Sequence, residues 1–369
     1  MKNTSVLFIA SILFFSANCQ NDHTSTHENS EILISHDSIE INNHDSRLIT
    51  IVGVGDMMLG TNYPSANYLP PNNGNDLLNE VTPYIKAADL AFGNLEGVIL
   101  SGKGNVKSCN NPDLCYAFKS PDEYVKHYVN AGFDVLSLAN NHMGDFGDIG
   151  RENTKKILKE NNIAFAGLTS VPMDTFSIQG IKYGFCAFSP NTGTMKINDY
   201  KVVKSIIQNL DSISDIVIVS FHGGAEGSKY RHITKKTEFI FGENRGNPYE
   251  FARMCIDAGA DIIFGHGPHV TRAIDCYKNR FIAYSMGNFA TYGRFNLRGV
   301  NGLAPIIEIK VDKNGEFKNG KIISTKQLGE GGPVLDKDQK VLQEIIELTA
   351  SDLPESPILI DSEGNIRLK

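Results

Sequence analysis

The chain lacks any run of 18 consecutive apolar residues, so no segment reads as a membrane-spanning helix. It lacks a surplus of positive charge: 35 Lys and Arg stand against 42 Asp and Glu, a net −7. A nucleic-acid binder driven by overall charge is thereby excluded, and no nucleic-acid partner is expected. No Cys-x-x-Cys pair occurs, which removes a thiolate zinc site and a thioredoxin-type motif. No Gly-x-x-x-x-Gly-Lys-Ser/Thr loop occurs, so a P-loop nucleotidase is unsupported. The absence of a Gly-x-Ser-x-Gly elbow argues against an α/β-hydrolase. There is no collagen-like period and no internal repeat. What is present is a chain of 369 residues, 41% hydrophobic and 21% charged. That is a globular composition, long enough for one large domain or two ordinary ones.

The N-terminus reads as a targeting segment. Lys2 precedes the apolar run Ser5–Phe15, which at 11 residues is too short to cross a bilayer as a helix. Ser16-Ala17-Asn18-Cys19 follows, and a short apolar run before small residues is a secretory signal pattern. The Cys directly after them resembles a bacterial lipoprotein box. Residues 1–18 are therefore expected to be a signal peptide and Cys19 a lipid anchor, holding the protein outside the cytoplasm on a bacterial membrane. Residues 19–47 are polar and contain His23, His27, His36 and His44; they read as a solvated linker with a reach of roughly 30 Å. Cys109 and Cys115 enclose a short polar loop, a spacing that suits a local disulfide outside the cytoplasm. Cys186, Cys255 and Cys276 sit in apolar surroundings and read as buried small hydrophobes.

Residues 48–335 read as one α/β domain, and residues 336–369 as a C-terminal helix and tail packed on it. Six apolar strands are expected: Leu48–Val54, Ala88–Phe92, Phe133–Leu138, Ile216–Phe221, Asp261–Phe264 and Phe281–Tyr284. Helical patterns lie at Asn75–Ala87, Pro121–Ala131, Gly150–Asn161, Lys201–Leu210 and Asn247–Ala258. Val/Ile-rich strands imply sheets covered on both faces. Each strand leads into a residue of ligand or catalytic type: Asp56, Asn94 with Glu96, Asn141 with His142, His222, His266 with His269, and Asn288. Functional sites of α/β sheets lie at the carboxyl ends of strands. One such residue is usually a turn or cap; six in register argue for one shared site. Carboxylate, amide oxygen and imidazole donors suit Mn, Fe, Zn or Mg, in one or two positions.

The ordered motifs GDMMLG (55–60), GNLEG (93–97), LANNH (138–142), HGG (222–224) with Glu226, GHGPHV (265–270) and SMGNF (285–289) resemble the CapA-type capsule-synthesis proteins. That family is associated with poly-γ-glutamate capsules and is related to calcineurin-like metallophosphoesterases. The resemblance implies two mixed β-sheets packed as a sandwich, flanked by helices, with the site at the strand C-terminal ends. It implies Asp56, Asn141, His222, His266 and His269 as metal ligands and His142 as general acid. A metal-activated hydroxide would be the nucleophile. Asn140, Glu226 and Asn288 support the site or the substrate.

Three departures from the esterase pattern stand out. Met58 replaces the His of an Asp-x-His motif. Asn94 replaces a bridging Asp, so Glu96 is taken as the carboxylate ligand and Asn94 as support. Gly267-Pro268 widens the final His pair. Lys229, Arg231, Lys235, Lys236 and Arg245 follow the His222 strand, either as an attractor for an anionic substrate or as a solvated loop. His127 and His232 read as ordinary surface residues. Ala304–Val311 and Lys321–Thr325 read as antiparallel strands, and Val341–Ala350 as a helix. Three functions fit: a phosphoesterase, a binding or assembly component for an anionic envelope polymer such as poly-γ-glutamate, and a hydrolase of the polymer's amide bonds. A capsule-synthesis membrane complex is the implied partner.

Overall fold

The protein is described here by a computed structural model covering residues 47–109 and 115–369. The signal-type segment, Cys19 and the linker up to residue 46 lie outside the described residues. In chain order the principal strands are β1 (Ile49–Met58), β2 (Leu90–Leu95), β3 (Val135–Ser137), β4 (Ala164–Ala166), β5 (Met173–Ile178), β6 (Ile181–Phe188), β7 (Ile216–His222) and β8 (Ile262–His266). They continue with β9 (Ile274–Tyr277), β10 (Arg280–Ala283), β11 (Asn288–Thr291), β12 (Leu303–Val311), β13 (Phe317–Gln327), β14 (Pro333–Leu335), β15 (Ile358–Ile360) and β16 (Asn365–Leu368).

Two mixed sheets result. The first runs β15-β16-β13-β12-β1-β2-β3-β4, with β11 beside β1 and β14 beside β13; the second runs β9-β10-β8-β7-β6-β5. Their shared core explains the apolar runs. In β1, Ile49 and Ile51 face the second sheet while Val52 and Val54 face outward. In β7, Ile216 and Ile218 face inward while Val217 and Val219 face outward. Alternating side chains leave opposite faces of a strand, so a run such as IVIV is buried throughout only when both faces are covered. Between the sheets, Phe92 stacks on Phe264 with centroids 4.9 Å apart. Gly53 permits that contact, since a Cβ there would lie 2.5 Å from the Phe264 ring.

Helices cover the outer faces. α1 (Thr82–Lys86), α2 (Val125–Ala131) and α3 (Gly147–Glu160) place Ile85, Tyr128 and Leu158 against the first sheet. α4 (Tyr200–Ile213) and α5 (Pro248–Asp257) place Val203, Ile207 and Phe251 against the second. α4 starts where the Asp199 carboxylate accepts from Val202 N, and α5 where the Asn247 side chain accepts from Glu250 N ahead of Pro248. α6 (Lys340–Asp352) sends Val341, Leu342 and Ile345 into the core between the sheets. No helix among the described residues is long and apolar enough to cross a membrane.

Several elements differ from expectation. The Asn75–Ala87 pattern is helical only over Thr82–Lys86; before it, Leu77, Asn79 and Val81 N–H groups bond three residues back, as in successive turns. Asn79 Nδ2 also donates to Asp76 Oδ1 at 3.1 Å, the local side-chain bonding that competes with a helix. β6 is an interior strand of the second sheet, between β7 and β5, that the six expected strands omit. His127 is buried, not at the surface; its Nε2 lies 2.8 Å from Asn73 O, and burial lowers its pKa. His232 is exposed and pairs with Asp352 at 2.8 Å. Cys109 and Cys115 are disulfide-bonded, and Cys186, Cys255 and Cys276 are free and buried.

Candidate functional site

Strand register assembles the site. Parallel pairing sets Asp56 of β1 opposite Asn94 of β2 on one side and Asn288 of β11 on the other. In the second sheet, His222 of β7 pairs with His266 of β8. His222 and His266 end their strands, Asp56 and Asn94 lie just before the ends of theirs, and Glu96, Asn141, His142 and His269 sit in the loops that follow; Asn288 opens β11 of the first sheet rather than following the end of β10. The register breaks on both sides of Asp56, a bulge that re-aims its side chain. Gly55 allows this: a Cβ there would fall 2.1 Å from Gly287 O, and the next amide, Asp56 N, donates to that oxygen at 2.8 Å.

Asp56 is the hub. It is fully buried, and its Oδ1 accepts from Asn94 Nδ2 at 2.9 Å. Oδ1 also meets His266 Nδ1 at 3.1 Å, and Oδ2 meets His269 Nδ1 at 2.9 Å. Burial works against the carboxylate's charge, but the two imidazoles prevail and hold Asp56 well below the usual carboxylate range. Burial likewise opposes a charge on His269, yet the hydrogen bond and charge of Asp56 carry it up to about 9. His269 adopts a left-handed backbone, φ 56°, uncommon for a residue with a Cβ. Asn94 donates its amide to both Asp56 and Glu96, the latter at 2.6 Å, so it bridges two carboxylates. Asn140 donates to Asn94 Oδ1 at 3.1 Å, and its own Oδ1 accepts from the amides of His142 and Met143. Asn140 thus ties the β3 turn to the hub.

Asp56, Glu96 and His222 each offer one donor atom within 4.8 Å of the others, all three buried. Glu96 Oε1, both ring nitrogens of His222, His266 Nε2, Asn141 Oδ1 and Asn288 Oδ1 are buried with no hydrogen-bond partner among the described residues. Buried polar atoms are nearly always satisfied, so this concentration marks a place built for something else. Burial and the neighbouring Asp56 push Glu96 up to about 8, the behaviour of an acid site short of positive charge. Burial and then Arg245 hold His222 well below its ordinary pKa, keeping it in the neutral form that binds metal. These oxygen and nitrogen donors fit a hard or borderline divalent cation. Met57 and Met58 are buried and offer it nothing.

One residue was missed in the sequence. His142 Nδ1 lies 2.7 Å from Asp145 Oδ2, whose other oxygen pairs with Lys107 Nζ at 2.6 Å. Phe118 N also donates to Asp145 Oδ2 at 2.7 Å. Asp145 is fully buried and fixes the ring so that Nε2 points toward Glu96, 3.9 Å away. The available signal was the acid three residues after His142 in one tight turn.

A cleft of about 510 Å³ opens onto these groups, lined by Asn141, His142, Glu226, His269 and Asn288. The basic stretch after β7 does not line it as a free anion attractor. Arg231 pairs with Glu344, Lys235 with Glu355, and buried Arg245 with Glu226 and Glu243. Among the described residues, the cleft's lysine and arginine side chains are Lys107 and Arg294.

A family model described as bacterial capsule synthesis protein PGA_cap matches residues 50–292. The capsule biosynthesis protein CapA of Bacillus anthracis is 30% identical over 272 residues, covering 68% of this chain and 61% of that protein. The PGA biosynthesis protein CapA of Bacillus subtilis (strain 168) is 27% identical over 252 residues, 64% of this chain and 61% of that one. The match thus spans about three-fifths of these relatives' length. A 5'-nucleotidase precursor from Thermus thermophilus superposes with a TM-score of 0.43 at 10% identity, covering 84% of this chain and 59% of that one. At that score the likeness bears on neither activity nor substrate. The matched span contains every residue of the hub and the cleft's His142, and on it the chain belongs to the PGA_cap family of bacterial capsule synthesis proteins.

Proposed function

We propose that this protein is a divalent-metal-dependent hydrolase of capsule-type polymer synthesis, held outside the cytoplasm by a lipid on Cys19. Its substrate is an anionic envelope polymer of the poly-γ-glutamate type or a phosphoester made in that pathway, met within a membrane-associated complex. The observation that carries the reading is the set of buried, unpartnered donor atoms on Glu96, His222 and His266 beside Asp56. Asp56, Glu96, Asn141, His222, His266 and His269 would hold one or two ions. Such an ion supplies Lewis acidity and lowers the pKa of a water, as in metallohydrolases generally.

The chain's own residues do the rest. Asn94 and Asn140 keep the two carboxylates and the β3 turn in register. Asp145 accepts from His142 Nδ1 and orients the ring, leaving Nε2 to deliver a proton to the leaving group. Arg245 holds Glu226 at the cleft wall. Purified protein is tested by elemental analysis and by turnover of an aryl phosphodiester with added Mn²⁺, alongside shortening of a γ-glutamate polymer. Bound metal with turnover that His142→Ala abolishes supports the reading. Absence of both activities in metal-loaded protein refutes it and favours the second reading, a non-catalytic binding or assembly component. Met58, apolar and buried where the related esterases carry a His, is the observation on that side.

A further inference from the structure

The geometry points to Arg294 as a specificity-determining residue that grips a second oxyanion of the substrate, a carboxylate or phosphate distant from the bond that is cut. Arg294 lines the same cleft as Asn141, His142 and His269. The other cation there, Lys107, is committed to Asp145. Among the described residues Arg294 has no carboxylate partner, and the cleft's Glu226 is taken by Arg245 at 3.0 Å. The guanidinium lies over two rings, Tyr68 at 5.2 Å and Tyr116 at 5.0 Å. Ring faces orient the planar head and leave its five N–H donors free.

The backbone is committed too: Arg294 has φ 55°, a left-handed conformation that a side-chain-bearing residue keeps only when its surroundings enforce it. Its neighbour Phe295 stacks on Phe118 at 5.0 Å, and Phe118 lies 4.3 Å from the His142 ring. The segment carrying Arg294 is thereby tied to the face that carries the proposed acid. A guanidinium fork matches carboxylate and phosphate in a way an ammonium does not. With one anionic group at the metal cluster and another at Arg294, the favoured substrate carries at least two.

The inference deepens the hydrolase reading but is tested by binding. The full chain, loaded with Mn²⁺, is titrated with a γ-linked glutamate pentamer and separately with tripolyphosphate. Arg294→Gln is expected to weaken binding roughly ten-fold or more, the scale of one charge-assisted hydrogen bond, with metal content unchanged. Arg294→Lys falls between, and Lys229→Gln, exposed and outside the cleft, binds as wild type. Loss for the pentamer alone assigns a carboxylate; loss for tripolyphosphate alone assigns a phosphate; either supports the inference. Where turnover is measured, KM rises and kcat holds. Equal binding of both probes by wild type and Arg294→Gln overturns it, as does wild type binding neither. Missing turnover with intact, Arg294-dependent binding sinks only the hydrolase reading.

Discussion

Asp56→Asn changes shape least and charge most, and its consequences follow from the hub. Asp56 accepts from three side chains, at 2.9, 3.1 and 2.9 Å, inside a fully buried site. The amide turns one acceptor into a donor facing a donor, and His269 loses the counter-ion that raises its pKa. Breaking a buried pair from one side costs about 3–5 kcal/mol. The pH dependence gives a second handle. His269 rises from its ordinary 6.5 to about 9 in the folded, metal-free protein, so its contribution is fully present below pH 6.5 and is lost as pH climbs through 9. That interval is worth about 3 kcal/mol. Asp56's own depressed pKa adds stability above the usual carboxylate range, removed only by acid, so it does not move in this window. Glu96, raised to about 8, loses its proton in the same interval and adds to the loss, so urea titrations of metal-stripped protein at pH 6.5 and 9.5 are expected to show wild type losing at least about 3 kcal/mol. Asp56→Asn should start about 3–5 kcal/mol lower at pH 6.5 and lose less than wild type by pH 9.5, because His269 no longer has its counter-ion and Glu96 no longer faces the Asp56 charge. Elemental analysis after loading should find the ion gone from the variant. A flat wild-type profile, or a variant that keeps its metal, would refute the assignment of Asp56 as hub.

Asp145→Asn should retain metal and wild-type denaturation behaviour and lower kcat by about 10²-fold or more, within the range for disabling a general acid. Unchanged kcat would remove Asp145 from the mechanism. Phe264→Ala empties the contact between the sheets and should cost about 3–5 kcal/mol in chemical denaturation; a loss under about 1 kcal/mol would contradict the shared core. Gly55→Ala, with its new methyl 2.1 Å from Gly287 O, should displace β1 from β11 and reduce metal content together with stability. Wild-type metal binding in that variant would show that the close approach is not needed.

Much of this was legible because period and position carry information locally. Runs such as Ile216–Phe221 read as strands because nearly every residue is apolar, and the polar residue that ends each run reads as exceptional. β6 escaped because YGFCAF mixes glycine and aromatics and drew notice for its cysteine, although both its faces are buried. The basic stretch was left open between an anion attractor and a solvated loop, because the pairing of Arg231 and Lys235 depends on partners more than 100 residues away, Glu344 and Glu355, that no local pattern shows. Asp145 sat in plain view three residues from His142, but only the turn's geometry aims it at Nδ1.

The sequence by itself determined the two-sided strands, the order of the motifs and the chemical type of the donor set, because alternation and residue chemistry are set by the chain alone. Only the tertiary structure decided which donors meet. Parallel register brings Asp56 beside Asn94 and Asn288, the second sheet brings His222 beside His266, and stacking the sheets lets those pairs face one another. Long-range register depends on the summed packing of both cores, and no single segment encodes it.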